Sequence, residues 1–272
     1  MTLNTTQMKV YVRRNFRLKQ NLPPLIIFTA LVPALFIFAL GRTEAFITYQ
    51  TTRMICISLV SIAMLIGANN SEGSICHERK IVKFEYQIKS LDLPSYILSK
   101  AIPEILICAM ESAVFTIVIY VLCRNGIRDA SMQIPLLYLT GLLIMFVSDM
   151  FSLLLSSVFQ NGLKSFVTTN VVLLLMLFLS GLFSNHPPFI MKLLSNFMIP
   201  KWGITAMFSI ANRVSLVAEK GTSDWTMLHV DEGAYAFSYL TIGKCWLVMI
   251  LISLLCIVAS MQTLKLVRYD RR

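Results

Sequence analysis

Charge is what this sequence has least of: 14% of its 272 residues are Asp, Glu, Lys or Arg against 56% hydrophobic, and the mean hydropathy is +0.71. That balance leaves too little polar surface to cover a water-soluble globule. Glycine is scarce as well, 11 residues with no cluster among them. There is thus no Gly-rich cradle for a nucleotide, and no G-x-x-x-x-G-K-[ST] phosphate loop occurs, so the chain cannot power work by that device. H-E-x-x-H and G-x-S-x-G, the usual intramembrane-protease and hydrolase signatures, are missing too. No C-x-x-C spacing joins the six cysteines, Cys56, Cys76, Cys108, Cys123, Cys245 and Cys256. Most fall inside apolar runs, where a free thiol behaves as a small apolar residue, and no redox or metal role is assigned to them. Pairing of Cys123 with Cys245 is left open on sequence alone. His77, His186 and His229 stand apart from one another. His229, beside Asp231 and Glu232, reads as part of an exposed polar loop rather than a metal site.

What is abundant is apolar sequence in runs of about 20 residues, the length that crosses a hydrocarbon core. Such runs fall at Leu22 to Leu40, Ile47 to Ala68, Pro94 to Leu122, Ile134 to Phe159, Ser165 to Phe183 and Thr241 to Leu264. The expected fold is therefore an all-α integral membrane protein with six transmembrane helices. No internal repeat or low-complexity tract stands out. The organisation reads as an amphipathic segment over residues 1–20 and one six-span membrane domain over 21–272.

The net charge of +10 comes from bases at membrane edges. Lys9, Arg13, Arg14, Arg17 and Lys19 precede the first run; Arg79, Lys80, Lys83, Lys89 and Lys100 lie between the second and third; Lys265, Arg268, Arg271 and Arg272 follow the last. The opposite loops carry Arg42 and Arg53, and Arg124 and Arg128. The positive-inside rule then puts both termini in the cytoplasm, in a multi-pass protein of the plasma membrane. Bases distributed this way, without interleaved stacking aromatics on a soluble domain, do not make a nucleic-acid groove. The first apolar run is long, lacks a small-residue cleavage pattern and follows a basic segment, so it is expected to remain in the mature chain.

Three segments outside the runs carry information. Met8, Val12 and Phe16 recur at i, i+4 and i+8, with Arg13, Arg14, Arg17 and Lys19 mostly elsewhere, which predicts a basic amphipathic helix able to rest on anionic lipid or a cytoplasmic partner. Residues 69–93 crowd Glu72, His77, Glu78, Arg79, Lys80, Lys83, Glu85, Lys89 and Asp92 between two apolar runs. Glu78 before Lys83 and Glu85 before Lys89 place acids one turn ahead of bases, which supports a solvated helix. Residues 184–240, placed outside by charge, hold two apolar runs too short or interrupted to span, and read as amphipathic or re-entrant helices in the outer leaflet. Lys201 and Trp202 would sit at the interface.

Ionisable groups inside the apolar runs are the strongest positive signal, because burying a charge in hydrocarbon costs several kcal/mol and marks a protein-lined or wet path. Three qualify: Glu104, Glu111 and Asp149. At 1.5 Å per residue, Glu111 lies roughly 16 Å beyond Lys100, Asp149 roughly 8 Å from the inner boundary and Glu104 roughly 6 Å from it. Two readings stand. The trio forms an intramembrane polar relay, or Glu104 pairs with Lys100 at i, i+4 while Asp149 bonds nearby serines such as Ser148 or Ser152. Pro33 and Pro103 would bend their helices.

The stretch Gly67 to Glu104, G-A-N-N-S-E-G-S-I-C-H-E-R-K-I-V-K-F-E-Y-Q-I-K-S-L-D-L-P-S-Y-I-L-S-K-A-I-P-E, resembles the first intracellular loop of G-subfamily (type V) ABC exporter permeases. Glu78-Arg79, Ser95-Tyr96, Leu98-Ser99-Lys100 and Pro103-Glu104 stand at the matching places. Gln7 to Arg14 and Asn21-Leu22-Pro23 are similar to that family's connecting helix, and the segment opening at Lys201-Trp202 to its re-entrant helices. The resemblance implies a coupling helix, with Glu72, His77, Glu78, Arg79, Lys80, Lys83, Phe84 and Glu85 seated on an ABC ATPase subunit that holds ATP and Mg. It also implies pairing with a second permease chain and a substrate path at the dimer axis, lined by the second and fifth spans, with Asn69, Thr168, Phe178 and Phe183 as candidates. Family members commonly fuse ATPase and permease; this chain carries no ATPase and needs no cofactor of its own.

The function expected is a permease subunit of an ATP-driven exporter, without catalysis of its own. Two other classes fit the same composition: a proton-coupled secondary transporter using Glu104, Glu111 and Asp149, and a non-transporting membrane assembly factor. Glu78→Ala or Arg79→Ala is expected to uncouple ATP hydrolysis from transport.

Overall fold

A computed structural model of the protein describes residues 5–18, 22–40, 46, 49–88, 92–124, 130–180, 189–211 and 237–265. The described residues form helices and the turns between them, with no strand. In chain order the helices are α1 (Thr5–Leu18), α2 (Leu22–Leu40), α3 (Tyr49–Ser71), α4 (Ser74–Gln87), α5 (Leu93–Leu122), α6 (Ala130–Val158), α7 (Gly162–Leu179), α8 (Phe189–Ser195), α9 (Ile199–Ile210) and α10 (Tyr239–Lys265). Each apolar run read from the sequence is occupied by one helix whose ends lie within a few residues of the expected ones. α3, α5, α6, α7 and α10 are long and apolar enough to cross a membrane, and α2 contributes a shorter apolar stretch, Ile26–Leu40.

These segments are helical because an apolar surrounding offers the backbone no other hydrogen-bond partner. α5 begins with Pro94 in its first turn, where no intrahelical bond is lost. Pro33, Pro103 and Pro135 lie farther inside α2, α5 and α6, positions tolerated where neighbouring helices accommodate the freed carbonyls.

α6 is the centre of the bundle and packs against α3, α5, α9 and α10. Its closest approach is to α3: a Cβ on Gly67 would stand 2.1 Å from the Met145 carbonyl oxygen, so only glycine admits this crossing. α9 is buried along its length. Its Gly203 faces Ile144 and Val60, residues in the middle of α6 and α3, so α9 reaches deep between longer helices. α8 differs, with Phe189, Ile190 and Leu193 exposed. The Lys201 ammonium bonds Ser195 Oγ and Asn196 Oδ1, and the Trp202 indole N–H donates to the Asn196 carbonyl, which fixes the turn between α8 and α9. The six cysteines are buried and free, which removes the Cys123–Cys245 disulfide from consideration.

Apolar packing divides in two. One large cluster fills the bundle, and a smaller one of Ile75, Val82, Leu93, Tyr96, Ile97, Met150, Leu153, Ile257 and Leu264 lies beneath α4. The second cluster sets the position of the polar helix described next.

Candidate functional site

The chain leaves α3 through Glu72 and Gly73. Gly73 has φ of 67°, in the left-handed region that a side chain disfavours, and the His77 N–H closes the turn onto its carbonyl at 3.0 Å. Beyond this turn α4 packs against the C-terminal end of α6 and the start of α7. Ser156 Oγ accepts from the Ile75 and Cys76 N–H groups at 3.0 and 3.3 Å. Arg79 donates to the Ser157 and Phe159 carbonyls at 2.8 and 3.0 Å, satisfying acceptors that the end of α6 leaves open. Arg79 therefore points into the bundle.

Glu78 points inward too, and it is a hub. Its carboxylate meets Lys100 Nζ at 2.9 Å and Arg14 Nη2 at 3.1 Å, and accepts from the Tyr96 hydroxyl at 2.7 Å. Three helices, α1, α4 and α5, thus converge on one side chain. Around it, the Tyr11 hydroxyl donates to Glu85 at 2.8 Å, the Tyr11 ring stands edge-on to Tyr96, and Asn15 donates to the Ser99 carbonyl at 3.1 Å. Desolvation alone would raise the Glu78 carboxyl, but the Lys100 ammonium, the Tyr96 hydroxyl and the Arg14 guanidinium together hold it below its ordinary value. Glu78 thus reaches two other helices, α1 and α5, while Lys89, expected to stand one turn after Glu85, lies outside the described residues. Lys100, which one of the two readings paired with Glu104, bonds Glu78. α1, which amphipathicity alone would equally lay on lipid, is bonded to α4 and α5.

The other side of α4 is open. His77, Lys80 and Phe84 are exposed and Lys83 is half-exposed. Glu72, at the turn, is half-buried with Oε1 shielded from solvent, and this burial pushes its carboxyl from 4.5 up to about 7.

Within the bundle, Glu104, Glu111 and Asp149 are all buried. Asn70 Nδ2 donates to Glu111 Oε2 at 2.7 Å, tying α3 to α5. Glu104, Cys108 and Glu111 stand at i, i+4 and i+7 on α5, which packs against the α6 helix that carries Asp149, and all four side chains are buried. No group of His, Cys, Asp and Glu suited to a metal occurs among the described residues. Of the residues expected along a substrate path, Asn69 is exposed at the end of α3, Thr168 is half-exposed on α7 and Phe178 is exposed farther along it; Phe183 lies outside the described residues.

Sequence reasoning missed Arg14, Tyr11 and Asn70 as partners, because helical spacing relates residues along one helix and these contacts join different ones. A signal did exist for Tyr96 and Lys100. They stand at i, i+4 and so share the face of α5 that meets Glu78.

Residues 6–212, from α1 through α9 and including every residue of the Glu78 hub, match the model of the ABC-2 type transporter family. The chain belongs to this family. It is a multi-pass membrane protein and a permease, the membrane-embedded transport component of an ABC transporter. No curated protein matches the chain. In this permease the acids buried in α5 and α6 and the α4 platform belong to the same matched region.

Proposed function

We propose that this permease is the membrane half of an ATP-driven exporter of the G-subfamily type, with α4 as the coupling helix on which a separate ABC ATPase bears. The observation that carries this reading is the one-sided anchoring of α4. Glu78, Glu85 and Arg79 tie its inner side to α1, α5 and α6 by directional bonds while His77, Lys80 and Phe84 remain exposed. A load applied to the open side is transmitted to three helices at once, since charge-assisted bonds resist sliding better than apolar packing does.

In this reading α2, α3, α5, α6, α7 and α10 are six spans, residues 1–20 form the connecting helix, and 21–272 the permease domain with segments 69–93 in the cytoplasm and 184–240 outside. Both termini face the cytoplasm, and the protein resides in the plasma membrane. ATP and Mg are held by the partner, and two permease chains enclose the substrate path. The least buried stripe of α3 supports such a path: it runs through exposed Met54, Leu65 and Asn69 and half-exposed Ser58 and Ser61, polar at three of five positions. The exposed faces of α5 and the middle of α10 are apolar, as lipid requires. Glu104, Glu111 and Asp149 serve as the polar relay between helices that move.

Accessibility labelling tests this assignment. In cells, a thiol placed by Lys80→Cys is expected to react with a membrane-impermeant reagent only after the membrane is opened, and more slowly when Mg and ATP are supplied to inside-out vesicles. Labelling from the outer side, or a rate indifferent to nucleotide, would refute it.

A further inference from the structure

Shielded side-chain oxygens gather where the turn after α3 meets the start of α7. The backbones approach closely there: a Cβ on Gly73 would stand 3.9 Å from the Gly162 Cα, and a Cβ on Gly73 or Gly162 would come within 3.2 or 3.3 Å of His77 Nε2. Ser71, Glu72 and Ser74 flank Gly73 along the chain, and Ser165 follows Gly162 by one helical turn. The Oγ atoms of Ser71, Ser74 and Ser165 and Glu72 Oε1 are closed to solvent and have no hydrogen-bond partner. Ser71 and Ser165 are wholly buried, and Ser165 belongs with Thr169 and Leu173 to the buried side of α7. Many helical hydroxyls of this protein bond back along their own helix, as Ser58, Ser61, Thr116 and Ser260 do to the carbonyls of Met54, Ile57, Ser112 and Cys256. Ser71 and Ser165 forgo that bond.

Buried oxygens left this way cost stability unless something meets their lone pairs. The neighbouring helix ends do not. The first N–H groups of α4, at Ile75 and Cys76, go to Ser156 Oγ, and the Leu163 N–H of α7 goes to Asn161 Oδ1. Burial raises the Glu72 carboxyl, and no basic side chain among the described residues offsets it. What gathers at the contact is one carboxyl without a counter-charge and three hydroxyl oxygens. We propose that Ser71, Glu72, Ser74 and Ser165 bind one alkali cation, which ties the turn between α3 and α4 to α7. Hard cations take oxygen ligands, and a single carboxylate among neutral hydroxyls balances a single positive charge, which favours sodium or potassium over a divalent ion. Such a donor set differs from the nitrogen- and sulfur-bearing clusters that hold transition metals. The ion supplies the counter-charge that Glu72 lacks and braces the point from which α4 departs.

The test measures the melting temperature of the full-length chain in detergent, in sodium, potassium or choline chloride at one ionic strength. A pH of about 8 keeps Glu72 mostly ionised, above the value of about 7 to which burial raises it. Sodium or potassium is expected to raise the melting temperature over choline by about 2–4 °C and to saturate with concentration, and the salt that acts at the lower concentration identifies the ion. Ser71→Ala, Ser165→Ala and Glu72→Gln are each expected to lose that rise while still melting cooperatively in choline. Ser61→Ala, which removes a hydroxyl that has its own carbonyl partner, is expected to keep it. Binding of the radiolabelled ion to the unmodified permease is expected to weaken about tenfold or more in Ser165→Ala. Equal melting temperatures in the three salts would overturn the site and leave the hydroxyls to water. A rise that survives in the Ser165 and Glu72 variants would overturn it too, by placing the ion elsewhere.

Discussion

The stretch containing α3 and α7 have the same mean hydropathy, 1.8, in their most apolar windows, yet 67% of the first window is buried inside the bundle and 17% of the second. Hydropathy reports that both prefer hydrocarbon to water. Which neighbour supplies that hydrocarbon, protein or lipid, is decided by how closely a helix can be approached. α3 carries Gly67 at its crossing with α6, with Ala63 and Ala68 buried beside it, and in membranes such small residues let backbones meet. α7 presents Phe166, Val167, Val171, Leu174, Leu175 and Phe178 outward, a surface built to meet lipid or another chain.

The contrast breaks most completely at Gly67. Leucine there would drive a Cβ to 2.1 Å from the Met145 carbonyl oxygen and 2.6 Å from its Cα, which no side-chain rotation relieves. Gly67→Leu is expected to lose more than about 3 kcal/mol and most of the folded yield, seen as aggregation by size-exclusion chromatography in detergent. A monodisperse variant with an unchanged melting temperature would mean that α3 and α6 do not cross so closely. Leu59→Ala on the same helix, 1% exposed, is expected to cost about 2–5 kcal/mol through the cavity it leaves.

A smaller effect is expected where α3 hands over to α4. Glu78→Ala leaves the Lys100 ammonium, 8% exposed, without its carboxylate. Losing one partner of a partly buried pair is expected to cost on the order of 2 kcal/mol in thermal unfolding. Adding Lys100→Met to Glu78→Leu is expected to recover part of that loss, since the more buried cation is then removed along with its carboxylate. Equal loss in the single and double variants would show that Lys100 answers to another group. The expectation that Glu78→Ala uncouples transport is thereby recast: the effect begins as a loosened α4, not as a lost contact with a partner.

Reading the chain without its structure located nearly all of the helices, because each apolar run is close to or above the roughly 20 residues that lipid demands and the intervening bases mark the ends. The polar segment between α3 and α5 was legible as a helix for a different reason, the spacing of its acids ahead of its bases. Direction was not legible. Whether Glu78 faces out or in depends on Gly73, whose left-handed turn rotates α4, and on Tyr96 and Lys100, whose common face is apparent only once the two helices touch. The acids of α5 and α6 were legible as a group, since depth follows from counting residues; the bond from Asn70 was not, because helix rotation about its axis is set by packing. The exposure of Ile81, Phe84 and Ile88 was hidden by composition, which assigns apolar residues to the interior by default.

Glu72 sharpens the handover between α3 and α4 through pH. Its carboxyl, raised to about 7 by burial from an ordinary 4.5, binds a proton more tightly in the folded protein than in the unfolded chain. Folding is therefore favoured below pH 4.5 relative to above pH 7, and stability is expected to fall as pH rises between those values. Glu72→Gln, which keeps the shape and removes the charge, is expected to flatten the dependence of melting temperature on pH across that window. An unchanged slope would place the titration elsewhere.

The smallest effect is expected on α7. Leu174 is 57% exposed, so truncation to alanine opens no cavity within the chain, and Leu174→Ala is expected to change the stability of a single protomer by less than about 0.5 kcal/mol. That near-zero is informative against the loss at Leu59, because the two leucines are chemically the same and differ in what surrounds them. If the outward face of α7 meets a second permease chain, the melting temperature of the unmodified protein rises with its concentration in detergent and Leu174→Ala abolishes that rise. If the face meets only lipid, neither curve depends on concentration. A large loss in Leu174→Ala at high dilution would contradict both cases, and would place α7 inside the bundle alongside α3.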